Sequence, residues 1–140
     1  MGKFKLEFEY DIDFFLLGLS CHLPDYRLAH ILNNELKIDL TRIKDLDFKA
    51  NKKKEKAYFS FYQYDNEELF TTINLISNRC ESGYFTPELK QWDYFLQLWL
   101  PNSEEEDLQK VMNSLKKNSQ IITCIDIDVE NLKAKNNFLF

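Results

Sequence analysis

Chemistry in this 140-residue chain would have to start from few reactive side chains. His22 and His30 are its two imidazole bases, and Cys21, Cys80 and Cys124 its three thiols. A cysteine nucleophile needs a base within hydrogen-bond reach, and only Cys21 beside His22 offers one locally. Neighbours on an extended strand point to opposite faces, so that pair is poorly placed for proton transfer. Cys21, His22, His30 and Cys80 also lack a zinc-ligand spacing. No Walker loop, G-x-G-x-x-G, G-x-S-x-G or H-E-x-x-H pattern occurs. The sequence therefore predicts no catalytic residue, no metal site and no cofactor, although distant carboxylates paired by the fold would leave no trace in it.

Two other stretches carry enough character to bind something. Lys49, Lys52, Lys53, Lys54 and Lys56 face a single acid, Glu55, and lead into Tyr58-Phe59-Ser60-Phe61-Tyr62-Gln63-Tyr64. Basic loops beside exposed aromatics hold single-stranded nucleic acid by phosphate attraction and base stacking, which makes RNA binding one reading. The whole chain argues against it. Its 18 basic residues meet 23 acidic ones, for a net charge of −5, whereas counterion-releasing domains usually have a pI above ~9. Only Arg27, Arg42 and Arg79 supply the guanidinium fork that grips phosphate best. The bland reading makes the lysines a solvated hairpin tip with Phe59 and Phe61 in the core. Tyr58, Tyr62 and Tyr64 then share a face, which we expect on the side away from the helices as a partner surface.

The second stretch is Thr86-Pro87-Glu88-Leu89-Lys90-Gln91-Trp92-Asp93-Tyr94. A hydroxyl, then Pro, then an acid predict one helical turn with Thr86 as its cap. That turn would deliver the chain into a strand beginning at Trp92, with Asp93 and Tyr94 on opposite faces. The motif either fixes this junction by hydrogen bonds or makes Pro87, Glu88, Asp93 and Tyr94 a ligand or partner surface. A small-molecule site beside Glu88 and Asp93 is a variant of the second reading. The nine residues resemble the signature of a small bacterial family named for its motif I-P-E-x-x-x-V-D-Y. Pro87, Glu88, Asp93 and Tyr94 match it, while Thr86 replaces Ile and Trp92 replaces Val. The blocks at Asp13 to Ser20 and Asp25 to Leu36 are similar in style. The resemblance implies a shared fold and no particular activity.

The elements that must position these residues can be read from periodicity. Phe4, Leu6, Phe8 and Tyr10 alternate as a strand, and Phe14 to Leu19 is continuous enough to be covered on both faces. Residues 24–36 predict a helix, with Pro24 in its first turn and an apolar stripe through Leu28, Ile31, Leu32 and Leu36. Strands follow at 38–48, 58–64 and 69–76, the last two joined as a hairpin at Asp65 to Glu68. Periodicity lapses between Asn78 and Gln91, which predicts a long connection. Trp92 to Leu100 is a strand. Ser103 and Glu106 form a capping box for a helix burying Leu108, Val111, Met112 and Leu115. Ile121, Thr123, Ile125, Ile127 and Val129 alternate through a final strand.

This order predicts a single α+β domain over residues 1–140: a mostly antiparallel sheet with two helices on one face. A ferredoxin-like core with an added hairpin is its most economical form. Three cysteines at irregular spacing read as reduced thiols. No apolar run reaches the ~20 residues of a membrane span, and a cytoplasmic location follows as an expectation. Phe138-Leu139-Phe140 either docks on its own core or meets a second subunit. The leading functional expectation is a non-catalytic protein-contact domain, homodimeric on base rates.

Overall fold

A computed structural model describes residues 14–49, 56–101, 104–133 and 135–139. The strand expected at Phe4 to Tyr10 lies outside them. The first strand, β1 (Phe15–Ser20), is buried along its whole inner length, as its unbroken apolar run demands. Helix α1 (Asp25–Leu36) buries Leu28, Ala29 and Leu32. Pro24 sits one position earlier than expected: it is the cap residue, and its carbonyl accepts the N–H groups of Arg27 and Leu28. Lys37 closes the helix in a left-handed conformation at φ 54°.

Three strands follow, β2 (Thr41–Lys49), β3 (Lys56–Asn66) and β4 (Thr71–Ser77). The β3–β4 turn lies at Glu67 to Phe70, two residues later than expected. The non-periodic stretch contains a small hairpin of its own, β5 (Arg79–Cys80) with β6 (Gly83–Tyr84), and a 3-10 turn at Pro87–Leu89. Strand β7 (Tyr94–Trp99), helix α2 (Glu105–Lys116) and strand β8 (Thr123–Asp126) complete the frame. Helix α2 begins later than the expected box, with Glu104 as cap residue and no side-chain cap bond; Ser103 lies outside the described residues.

The main sheet runs β2-β3-β4-β7-β1-β8, and each neighbouring pair is antiparallel. Strands β7 and β8 flank β1, so they are parallel to each other and α2 runs back between them. The order β4-β7-β1-β8, with one helix after β1 and one after β7, is the ferredoxin-like arrangement. The β2–β3 hairpin extends it at the β4 side.

Both helices cover one face of the sheet, where Leu28, Leu32, Leu108 and Leu115 meet Leu17, Leu19, Leu75 and Leu96. Among the described residues no α-helix covers the other face. There Phe59, Phe61, Phe95 and Leu16 are roofed by Phe85 and by the segment carrying Val129 and Phe138. The Phe138 ring stands edge-on to Phe85 and Phe95, with centroids 5.3 and 5.2 Å apart. The Phe138 region thus docks on its own core, the first of its two expected fates. Glycine is required at Gly18, where a Cβ would lie 2.8 Å from the Trp92 ring.

Candidate functional site

The motif builds a junction around Asp93, Tyr94 and a residue that sequence reasoning passed over, Asn78. The Asn78 side chain donates to the carbonyls of Leu89 (2.9 Å) and Trp92 (2.8 Å) and accepts the N–H of Thr86 at 2.9 Å. Its main chain bonds Asp93 O and Phe85 N. One fully buried amide therefore ties both limbs of the 78–93 loop to the end of β4. Pro87 takes the first position of the 3-10 turn, as expected, but Thr86 makes no cap bond and its buried Oγ1 has no partner.

Asp93 and Tyr94 do not separate to opposite faces. Asp93 sits in the bend before β7, outside strand alternation. Its Oδ2 accepts the Cys21 N–H at 2.9 Å, and its Oδ1 meets Arg79 Nη2 at 3.1 Å. The Tyr94 hydroxyl donates to Leu23 O at 2.6 Å. Burial, with Asp25 adding, holds that phenol well above its ordinary range. Both side chains thus clamp the Cys21–Leu23 turn between β1 and α1, beside an open cleft of about 460 Å³. Glu88 joins a different contact, its Oε2 accepting the Lys133 N–H at 3.4 Å.

The Cys21 thiol in this cleft is pushed up chiefly by burial, the reverse of what a nucleophile needs. Burial also raises Cys124, to about 11. His22 is exposed. Among the described residues no three His, Cys, Asp or Glu side chains gather as a metal site.

The tyrosine face differs from expectation. Tyr58, Tyr62 and Tyr64 do share a side of β3, but it is the side the helices cover. Tyr62 is buried among Leu28, Leu32 and Leu40, and Tyr64 packs beside it. Arg42, bridging to Asp25 at 3.2 Å, lies over the Tyr62 ring. Of the three only Tyr58 stays open, at 54% exposure. Lys49 and Lys56 face each other across the β2–β3 ends; Lys52, Lys53 and Lys54 lie outside the described residues.

On the helix-free face the structure assembles a polar ladder. Gln63, Asn74 and Gln97 are cross-strand neighbours on β3, β4 and β7. Gln63 Nε2 donates to Asn74 Oδ1 (2.9 Å), Asn74 Nδ2 to Gln97 Oε1 (2.8 Å), and Gln97 Nε2 to Phe138 O (2.8 Å). A cleft of about 540 Å³ opens over the ladder, walled by Leu46, Phe61, Trp99 and Phe138. The sequence did carry a signal, an amide set among apolar residues in each of three strands. Nothing in spacing alone aligns them.

The two sheet edges differ in kind. Edge strand β2 has nine residues, five of them charged, and its register shifts between Ile43 and Leu46. Charges and irregular register both discourage edge pairing. Edge strand β8 reads Thr-Cys-Ile-Asp. Its alternation places Ile125 on the face away from the α-helices, where among the described residues nothing roofs it, and Ile125 is 45% exposed and neighbouring Ile122 56%. Val129 lies beyond it in a 3-10 turn, not in the strand.

No family model matches the chain, and no curated protein compared with it does.

Proposed function

We propose that this chain is a protein-contact module that acts as a homodimer joined through β8. The observation that carries this reading is the contrast between its edges: β2 is guarded, whereas β8 has no outer partner strand among the described residues and carries exposed Ile125, with exposed Ile122 just before it. An antiparallel β8–β8 pair would form one continuous sheet about a twofold axis normal to it. That axis sets the two α2 helices side by side and antiparallel. The acidic first turn of one, Glu105, Glu106 and Asp107, then lies along the basic end of the other at Lys116 and Lys117. The charges that suit each helix dipole become complementary across the interface.

Light scattering coupled to size exclusion, over a dilution series, tests the reading. The expected result is twice the 16.8 kDa chain mass, falling to one chain in Ile125→Lys. Reversing Glu105 and Glu106 to Lys weakens the dimer, as does reversing Lys116 and Lys117 to Glu; mixing the two variants restores it. A monomer at every concentration, or a dimer indifferent to Ile125→Lys, overturns the proposal.

A further inference from the structure

The amide ladder does more than satisfy itself. Each carboxamide has two N–H donors and a carbonyl with two lone pairs. Among the described residues every NH2 group of the ladder donates once, which leaves a second N–H on Asn74, 3% exposed, whereas Gln97 is fully enclosed and braces the ladder from behind. At the open end, Gln63 Oε1 accepts no bond among the described residues. Among the described residues that line the cleft over these groups none is charged, and Phe61, Trp99 and Phe138 give it aromatic walls. Its volume of about 540 Å³ falls in the range of small-molecule sites, ~300–1,000 Å³.

A register-holding role explains one bond per amide and leaves the rest of this arrangement without use. We infer that the cleft binds a neutral planar heterocycle of nucleobase size. Its ring lies against Trp99 or Phe61, and its edge presents an acceptor to the spare Asn74 N–H and a donor to Gln63 Oε1. Asn and Gln side chains pair with base edges through this alternation of donor and acceptor, and aromatic walls stack any such ring. The absence of lining charge selects against phosphates and carboxylates, so the ligand is a base or nucleoside rather than a nucleotide.

The test titrates adenosine, guanosine, cytidine, uridine and their 5′-monophosphates into the full chain while following side-chain NH2 resonances. A ligand held by a few such contacts binds in the range up to about 5 mM. The expected result is saturable movement of the Asn74 and Gln63 signals by at least one nucleoside, with its monophosphate no tighter. Gln63→Leu should weaken that binding about tenfold. Leu46→Trp, which fills the cleft from β2 without touching the ladder, should abolish it. No movement with any nucleoside, tighter binding of the monophosphate, or binding unchanged in a folded Leu46→Trp variant overturns the inference.

Discussion

The carboxylate of Asp93 accepts the main-chain N–H of Cys21 across 72 positions of sequence, at 2.9 Å. A second oxygen of the same group meets Arg79, whose side chain is half exposed. Exposed ion pairs contribute about 0–1 kcal/mol, whereas a hydrogen bond to a charged group contributes about 1.5–3 kcal/mol. The two partners are therefore separable. Asp93→Ala should lower stability by about 2 kcal/mol and Arg79→Ala by less than about 1 kcal/mol in urea unfolding. Asp93→Asn, which keeps an acceptor for Cys21, should lie near the arginine variant.

Thr86 is fully buried, and its hydroxyl has no partner. A buried hydroxyl without a hydrogen bond costs about 1–3 kcal/mol by protein mutational measures. Thr86→Val keeps the shape and removes the group, so it should raise the unfolding midpoint in urea by an amount worth about 1 kcal/mol. An unchanged or lowered midpoint would contradict this account.

Phe70 closes the β3–β4 turn at φ 50° with 79% of its surface exposed. The left-handed region costs an L-residue with a side chain about 1–2 kcal/mol, a cost glycine escapes. Phe70→Gly should stabilise the chain by about 0.5–1 kcal/mol after glycine's larger unfolded entropy is counted. Phe70→Ala should not, which separates backbone relief from loss of an exposed ring.

Asp126 on β8 has its pKa raised from 3.8 by burial first, then by Glu105 and Asp128. The folded chain thus holds this proton more tightly than the unfolded chain does. The penalty is absent below the ordinary value near 3.8 and fully present above the raised one. Asp126→Asn should therefore unfold at a higher temperature than the parent at pH 7, with the gap closing as pH falls below that value. A gap independent of pH would assign the effect to something other than charge.

Strand and helix positions were legible because each buried face repeats locally. Leu28 with Leu32, and Leu108 with Met112 and Leu115, announce their helices by spacing alone. The helix-free face was not legible, because its roof comes from Phe85 and Phe138, residues without periodicity of their own. For the same reason the tyrosines were assigned to the wrong side: alternation groups Tyr58, Tyr62 and Tyr64 but does not say which group meets the helices. The motif was visible as residue types, yet its organiser, Asn78, is one polar residue at a strand end. Its role exists only once Thr86, Leu89 and Trp92 are brought around it.

The interior position of β1 has a consequence for the life of the chain before it is folded. This strand ends at Ser20, and its neighbours come from residues 94–99 and 123–126. At a synthesis rate of ~5–20 residues per second, roughly 5–20 s pass between making β1 and making β8. For most of that interval Leu16, Leu17 and Leu19 have no native sheet partner, and until its end they have only β7. A strand interior in the finished sheet thus waits longest for its last neighbour during translation, which makes nascent chains of this protein a demanding client for chaperones.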